Sequence, residues 1–262
     1  AIPDFVNMSR TIRIDYSTNG DQTLDRVRFY TVQSPDKDKL ETLSLLLRSL
    51  GNDRSIVFLN YRDSVERTSL YLRQQGFYIS MFHGGLEQKD RESALYKFAN
   101  GSANILVSTD LASRGLDIPD IENVIHYHLP LSEDGYIHRV GRTARWQAVG
   151  KSFFILSPDE VLLDYIEGKP DQYFIPRQLP GPSLPKMETI YIGKGKKDKI
   201  SKGDIVGFLC KITGLDKSDI GRIDVRDRYA YAAVATDKVG QVLSRSKGEK
   251  IKGIRTVVER VG

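Results

Sequence analysis

The 262-residue sequence has a single cysteine, Cys210, so no disulfide can form within the chain. One isolated thiol is typical of a reducing compartment, and we expect a cytoplasmic protein. No apolar run approaches the roughly 18 residues of a membrane-spanning helix, so we expect no membrane partner. The four histidines do not have the spacing of metal ligands, and one cysteine cannot complete a zinc site. We therefore assign no metal to the chain.

Two other patterns are missing. The spaced GxxxxGK[ST] loop, whose backbone cradles nucleotide phosphates, does not occur. The chain also begins AIPDFVNMSR, with neither an initiator methionine nor the charged and apolar regions of a signal peptide. We expect this sequence to be a piece of a longer protein.

Charge is distributed unevenly along the chain. Residues 186–262 contain 18 Lys and Arg against 10 Asp and Glu, a net charge of +8, whereas the preceding residues have a net charge of −3. Such an excess predicts a polyanionic partner, and nucleic acid is the leading candidate. A basic face that only keeps the domain in solution is the alternative.

The hydrophobic pattern predicts an α/β fold. Short apolar runs such as SIVFLN, NILVSTD and GKSFFILS alternate with amphipathic stretches, several of which end at a glycine. This alternation is typical of a parallel sheet covered by helices on both faces. Ligands of such folds bind at the carboxyl ends of the strands.

A second domain is predicted after a proline-rich segment. Six of the ten prolines lie between residues 158 and 185. We place a linker at 181–187, between one domain at 23–180 and another at 188–262. The second domain is predicted to have the βαββαβ order of an α+β RNA-recognition-motif fold. Its predicted elements are a strand at 190–193, a helix at 203–213, strands at 221–226 and 229–235, a helix at 236–246 and a strand at 251–260.

Residues 136–145 read YIHRVGRTAR. Arg142 and Arg145 are three residues apart, so on a helical turn they share a face. The guanidinium group presents paired donors that match phosphate oxygens, which indicates phosphate binding. A surface helix with salt-bridged arginines is the alternative.

Four motifs in order resemble the C-terminal part of a DEAD-box RNA helicase, over about residues 24–157. They are SIVFLNYR, HGGLEQKDRESALYKFANG, ILVSTDLASRGLDIPDIENVIHY and YIHRVGRTAR. The resemblance implies a second RecA-like lobe, with residues 1–22 as the tail of the preceding lobe and the linker between lobes. It implies ATP and Mg²⁺ as cofactors of the full-length protein. It also implies that this piece alone binds neither and is inactive, because the phosphate loop and the acidic DEAD box belong to the first lobe.

The resemblance also implies roles for single residues. Arg142 and Arg145 are expected at the transferred phosphoryl group, and Asp117 at the ribose. Arg114, His138 and Arg139 are expected to couple the ATP site to the rest of the machine. Contacts with the RNA are implied for a further set: Asn60, Arg62, Gly84, Gly85, Gln88, Arg91 and Thr109. The alternatives are a turn cap for Asp117 and a solvated helix start for Gln88.

Residues 188–260 resemble the RNA-binding domain of DbpA-type bacterial DEAD-box helicases, on GKGKKDKISKGDIVGFL, DIGRIDV, YAAV and KIKG. In the RNA-recognition fold, bases stack on aromatic side chains of the sheet, which implies this role for Tyr191, Tyr229 and Tyr231. Core or rim packing is the alternative for these tyrosines. RNA contacts are expected from one arginine and six lysines: Arg228, Lys194, Lys196, Lys197, Lys199, Lys250 and Lys252.

The expected partners are structured ribosomal RNA and the missing N-terminal RecA-like lobe in cis. The expected function is ATP-driven local unwinding of RNA, with the C-terminal domain as the anchor. A non-enzymatic RNA-binding scaffold with a vestigial helicase lobe is the alternative.

Overall fold

The computed structural model describes residues 26–110, 121–143, 150–166 and 169–261. The first part of the chain builds a seven-stranded sheet in the order β3-β4-β2-β5-β6-β1-β7, in which every pairing is parallel. Its strands are β1 (Val27–Gln33), β2 (Ser55–Leu59), β3 (Ile79–Phe82), β4 (Ile105–Thr109), β5 (Asn123–His126), β6 (Gly150–Leu156) and β7 (Asp171–Gln172). The predicted parallel α/β sheet is confirmed.

Four described helices belong to this sheet: α1 (Leu40–Leu50), α2 (Arg62–Gln74), α3 (Gln88–Asn100) and α4 (Glu133–Val140). All five residues of β2 are buried, and its apolar side chains belong alternately to two hydrophobic clusters. Val57 packs into one hydrophobic cluster, whereas Ile56 and Phe58 pack into another. Since side chains alternate along a strand, the sheet is covered on both faces, as continuous apolar runs predict.

The tripeptide Gly150-Lys151-Ser152 opens strand β6 and is not part of a phosphate loop. A Cβ added at Gly150 would lie 2.1 Å from Oγ1 of Thr143, so only glycine fits there. The glycine thus serves the packing of β6 against the chain that follows α4.

A separate four-stranded sheet follows, in the order β13-β8-β10-β9, with antiparallel pairings. Its elements in chain order are β8 (Met187–Ile192), α5 (Lys202–Lys211), β9 (Ile220–Val225), β10 (Ala230–Ala235), α6 (Val239–Arg245) and β13 (Val258–Arg260). Helix α5 begins at a capping box, in which Ser201 and Asp204 exchange hydrogen bonds of 2.9–3.3 Å. A small α+β fold after the RecA-like sheet agrees with the predicted fold class.

The predicted final strand at 251–260 is wrong. The chain instead forms a two-stranded hairpin, β11 (Lys250–Ile251) and β12 (Ile254–Arg255), before the short edge strand β13. Lys252 and Gly253 at its tip have φ angles of 52° and 80°. Two successive residues with positive φ make the tight turn that closes a two-residue hairpin loop, and this turn interrupts the strand.

Residues 173–186, between β7 and β8, form neither helix nor strand. Arg48 of α1 anchors this segment, since its Nε and Nη2 donate to the carbonyl oxygens of Pro180 (2.6 Å) and Leu179 (3.0 Å). The domain limits at 180 and 188 stay predictions. Among the described residues, no helix has the length and apolar character needed to span a membrane.

Candidate functional site

Arg139 forms the centre of a buried polar cluster at the carboxyl edge of the parallel sheet. Its side chain lies in the last turn of α4 and is 1% exposed. The guanidinium donates to both carboxylate oxygens of Asp110, at 2.5 and 2.7 Å. It also donates to the carbonyl oxygen of His128 (2.7 Å) and to Oδ1 of Asn60 (2.8 Å). One side chain thus joins the segments that follow β2, β4 and β5.

Asn60, predicted to contact RNA, has both ends of its amide engaged inside the protein. Its Oδ1 accepts from Arg139, and its Nδ2 donates to the carbonyl oxygen of Leu129 (3.1 Å). In this structure Asn60 therefore positions Arg139. The interaction of Arg139 with Asp110 was not predicted from the sequence either.

The buried His126 and the half-buried His128 complete this group. We call it the Arg139 cluster: Asn60, Asp110, His126, His128 and Arg139. Nδ1 of His128 accepts the backbone N–H of Asn60 at 3.2 Å, and this requires an unprotonated nitrogen. Burial, together with Lys39 and Arg139 nearby, lowers the pKa of His128 to about 4. Burial also holds the pKa of His126 well below its usual value, and Arg139 adds to this effect. Both rings are therefore neutral at pH 7.

The neutral His128 predicts a loss of stability in mild acid. Its pKa is about 4 in the folded chain and about 6.5 in the unfolded chain. Between these values the unfolded chain binds a proton that the folded chain does not. The contribution of the neutral His128 to the free energy of unfolding therefore has its full value above pH 6.5 and decreases as the pH drops towards 4. After allowance for the partial exposure of His128, we expect a loss of about 1–2 kcal/mol by pH 5.

Urea unfolding at pH 7.5 and pH 5 measures this loss, with His128→Gln as the matched variant. Glutamine can accept the same backbone N–H but cannot titrate, so we expect a smaller pH dependence for the variant. The exposed His138 provides the control substitution, His138→Gln. An identical pH dependence for wild type and His128→Gln would contradict the assignment.

Arg142 follows α4 directly and is half-buried. Its backbone N–H donates to the carbonyl oxygen of Arg139 at 3.1 Å. Next to it, Oγ1 of Thr143 donates to the carbonyl oxygen of Ile121 at 2.5 Å and ties this turn to the chain before β5. The backbone around Arg142 is thus fixed by the Arg139 cluster on one side and by Thr143 on the other.

The remaining residues predicted for nucleotide binding and coupling fall into two groups. His138 is exposed on α4, one residue before the buried Arg139. Arg114, Asp117 and Arg145 lie outside the described residues.

Three predicted RNA contacts lie together beyond β3. Gly84 and Gly85 are exposed in the turn after that strand, and Arg62 is exposed at the start of α2. A Cβ added at Gly84 would lie 3.6 Å from Nη2 of Arg62, and one at Gly85 would lie 3.4 Å from its Nη1. The backbone N–H of Gly85 donates to Nδ1 of His83 at 3.2 Å. The fold thus places a guanidinium beside the exposed Gly84, an arrangement suited to a phosphate.

Gln88 and Arg91 occupy the first turn of α3, where the helix dipole favours an anion. Nη2 of Arg91 donates to Oε1 of Gln88 at 2.8 Å, and Nε2 of Gln88 donates to Oε1 of Glu92 at 2.9 Å. Gln88 is exposed and Arg91 is half-buried. Thr109, in contrast, is 7% exposed at the end of β4, and this burial does not favour its predicted contact with RNA.

The predicted basic residues of the second domain gather at one edge. Lys196, Lys197 and Lys199 are exposed in the turn before α5, and Lys194 is half-buried beside them. From the hairpin, Nζ of Lys252 donates to the carbonyl oxygen of Lys199 at 3.1 Å. We call these five residues the basic turn: Lys194, Lys196, Lys197, Lys199 and Lys252. Lys250 and Arg228 are also exposed.

Two cations beside the basic turn were missed by sequence reasoning. Lys196 lines a groove of about 510 Å³ together with Lys202 and Arg226. Lys202 belongs to the same lysine-rich stretch, which could have signalled it. Arg226 is brought there by β9, and no local pattern indicates this placement. Among the described residues, no group of three or more His, Cys, Asp or Glu side chains could hold a metal ion.

The three tyrosines expected to stack on bases differ in exposure. Tyr231 is 3% exposed, whereas Tyr191 and Tyr229 are half-buried. The rings of Tyr191 and Tyr229 stack on each other with centroids 5.7 Å apart. Tyr231 packs at 5.1 Å against Tyr96 of α3, so its ring faces the first domain and not solvent. A base could reach Tyr231 only if the two domains separated.

Comparisons with known proteins agree with this two-part architecture. Residues 38–147 match the helicase conserved C-terminal domain, and residues 189–260 match the DbpA RNA binding domain. The chain is 35% identical over 232 residues to the ATP-dependent RNA helicase DbpA of Escherichia coli (strain K12), covering 86% of this chain and 50% of that protein. It is 30% identical over 266 residues to DbpA of Bacillus subtilis (strain 168), covering 91% of this chain and 56% of that protein.

The chain thus spans about half the length of the curated relatives it matches. A solved structure, the E. coli DEAD-box protein SrmB bound to regulator of ribonuclease activity A, aligns with a TM-score of 0.53 and 33% identity. This alignment covers 60% of the present chain and 98% of that chain.

Proposed function

Because the chain belongs to the DEAD-box RNA helicases and joins their C-terminal lobe to a DbpA-type RNA-binding domain, we propose that it is the RNA-anchoring half of an ATP-dependent helicase. The observation that carries this proposal is the Arg139 cluster. It gathers the segments after β2, β4 and β5 at the edge of the sheet where α/β folds bind ligands. A lobe whose motif segments are held together in this way is suited to respond as one unit to a nucleotide.

In this proposal ATP, with Mg²⁺, is held by the lobe that bears the phosphate loop and supplies the phosphoryl group. Arg142 of this chain then faces that group and stabilises its charge. The fit is supported by the backbone of Arg142, which is hydrogen-bonded to Arg139 and is followed by the anchored Thr143. Arg145, Asp117 and Arg114 stay predicted partners in the same site, and His138 and Arg139 couple it to the lobe.

RNA binding is proposed at two surfaces. On the helicase lobe, Arg62 beside Gly84 and Gly85 offers a guanidinium, and Gly84 a backbone amide, to the RNA backbone. Gln88 and Arg91 extend this surface. On the second domain, the basic turn supplies a cluster of positive charge. The second surface acts as an anchor, because it raises the effective concentration of the lobe near its substrate.

Structured ribosomal RNA is the proposed target of the anchor, on the likeness to the DbpA RNA binding domain. The non-enzymatic scaffold stays an outcome of the tests. It would bind this RNA equally well but would be indifferent to ATP and to Arg142.

The double substitution Lys196→Ala/Lys197→Ala tests the anchor. Each exposed lysine at a phosphate releases a counterion, so we expect the salt dependence of RNA binding to flatten by roughly 1.5–2 in logarithmic slope. Affinity should fall about tenfold or more at low salt. Binding of the 262-residue chain to deproteinised E. coli ribosomal RNA, measured by filter binding between 50 and 300 mM KCl, gives both quantities.

A charge-matched control comes from Lys211→Ala/Lys217→Ala, which removes two exposed lysines, one at the end of α5 and one after it, both outside the basic turn. We expect this variant to keep both the affinity and the salt slope within twofold of wild type. Equal losses in the two variants would show that RNA binding depends only on total positive charge. That result would overturn the assignment of the basic turn as the anchor.

A further inference from the structure

The second sheet has two faces of opposite character. Ile190 and Ile192 of β8, with Ala232 and Val234 of β10, pack into the domain's own hydrophobic core. The intervening residues point to the other face, since side chains alternate along a strand. This other face, which we call the tyrosine face, contains Thr189, Tyr191, Tyr229 and Tyr231, and Tyr231 lies directly opposite Tyr191 in the register.

Helix α3 of the helicase lobe covers Tyr231 and Thr189 of the tyrosine face and contacts the hydroxyl of Tyr229. The hydroxyl of Tyr96 donates between two carbonyl oxygens of the second domain, that of Arg222 at 2.6 Å and that of Tyr231 at 3.1 Å. Tyr96 is 4% exposed and Tyr231 is 3% exposed. Burial raises the pKa of Tyr96 well above its ordinary value, so its hydroxyl stays protonated as a donor. A phenol that is buried and satisfied by the other domain is characteristic of a built interface.

Polar contacts extend this interface to the C-terminal end of α3. Nδ2 of Asn100 donates to Oγ1 of Thr189 at 2.8 Å. The hydroxyl of Ser102, just beyond the helix, lies 2.8 Å from the same oxygen. Asn100 and Thr189 are both buried. The contact therefore does not depend on a single tyrosine pair.

A second line of hydrogen bonds connects the tyrosine face to the start of α3. The hydroxyl of Tyr229 donates to Oε2 of Glu92 at 3.3 Å. Oε1 of the same Glu92 accepts from Nε2 of Gln88. The side-chain oxygen Oε1 of Gln88 in turn accepts from Arg91. The second domain is thus linked through Glu92 to the two side chains that are proposed to contact RNA from the first turn of α3.

We infer that the tyrosine face is the docking surface for α3 and does not stack bases. The C-terminal domain remains docked while its basic turn binds RNA, and through Glu92 it fixes the orientation of Gln88 and Arg91. The anchored RNA is then presented to the helicase lobe at one set angle. The part of this inference that concerns RNA rests on the proposed function, whereas the docking itself does not.

An engineered disulfide tests the docking. Ser102→Cys and Thr189→Cys are combined in a Cys210→Ser chain, so that only the two new thiols are present. The two positions are neighbours across the interface, because the native hydroxyls lie 2.8 Å apart, and a disulfide requires Cβ atoms about 3.5–4.5 Å apart. We expect the bond to form nearly completely under mild oxidation, without RNA. Free thiols in most molecules after oxidation would show that the domains are not docked and would overturn the inference.

RNA binding by the cross-linked chain tests the second half. We expect its affinity for deproteinised E. coli ribosomal RNA to stay within twofold of the same protein after reduction. A loss of tenfold or more on cross-linking, restored by reduction, would show that RNA needs the tyrosine face and would overturn the inference. Each single-cysteine variant controls for the substitutions.

The substitution Tyr231→Leu provides an independent readout. Removal of a stacked aromatic ring costs about 1–3 kcal/mol per base, which is roughly 5- to 150-fold in affinity. We expect less than a twofold change for this variant, against about tenfold for Lys196→Ala/Lys197→Ala. If the unmodified chain does not bind the RNA at all, the proposed anchor is wrong, and disulfide formation still decides the docking.

Discussion

Substitution of Arg139 by alanine is expected to lower the free energy of unfolding of the chain by about 3–5 kcal/mol. The guanidinium is 1% exposed and makes hydrogen bonds to Asp110, Asn60 and the carbonyl oxygen of His128. Its removal takes two hydrogen bonds from the Asp110 carboxylate and one from the amide oxygen of Asn60, both of which are partly buried. Loss of one member of such a pair costs far more than the pair contributes to stability as a whole.

Urea unfolding followed by circular dichroism measures this loss. Arg139→Lys is informative because an ammonium group cannot donate to both oxygens of Asp110 and to Asn60 in the same geometry. We expect it to recover less than half of the stability. His138→Ala is the matched control, since it removes the neighbouring, exposed side chain of the same helix turn. A change below 1 kcal/mol in Arg139→Ala would refute the structural importance of the cluster.

The burial of Arg139 shows how far sequence reasoning reaches. The pattern HRVGR suggested a group for nucleotide coupling, and arginine is rarely buried unless it is paired. A local signal did exist: Tyr136, Arg139 and Val140 are spaced so that they share one face of α4, and all three are buried. The partners of Arg139 could not be found in this way. Asn60 and Asp110 are 79 and 29 residues away, and only the sheet order makes them neighbours.

The tyrosines illustrate the same limit. Their spacing of two predicted neighbouring rings, and the centroids of Tyr229 and Tyr231 do lie 5.2 Å apart, although β10 itself begins at Ala230. Alternation specifies which residues share a face and says nothing about what covers it. The cover is Tyr96, 135 residues before Tyr231, on a helix whose own pattern indicated only packing within the first domain. Interfaces between domains leave little periodic signal, because few residues of each element take part.

Conversely, the parts of the fold that depend on local chemistry were predicted well. Continuous apolar runs became buried parallel strands, and Gly51 and Gly101 end α1 and α3 with positive φ. The last strand failed for a local reason as well. The turn at Lys252 and Gly253 requires a left-handed conformation at both residues. Lysine rarely adopts this conformation, so the sequence KG did not predict a turn there.

Arg142→Ala is expected to reduce RNA-stimulated ATP turnover of the full-length protein by about 10³-fold or more. An arginine placed at the transferred phosphoryl group acts on charge that develops in the transition state. Its loss should therefore lower kcat with little change in the KM for ATP. Arg142→Lys keeps the charge but not the forked donors, and we expect it to recover only a small part of the rate. Steady-state ATPase assays with and without ribosomal RNA measure both effects.

The separation of functions makes this test decisive between the helicase and the scaffold. RNA affinity of Arg142→Ala should equal that of wild type, because the basic turn lies in the other domain. The Lys196→Ala/Lys197→Ala variant should behave in the opposite way, with weak RNA binding and an unchanged ATPase rate in the absence of RNA. If the Arg142→Ala protein turned over ATP at the wild-type rate, the assignment of Arg142 to the ATP site would be wrong. A full-length protein with no RNA-stimulated ATPase would instead favour the scaffold, whose RNA binding needs the basic turn alone.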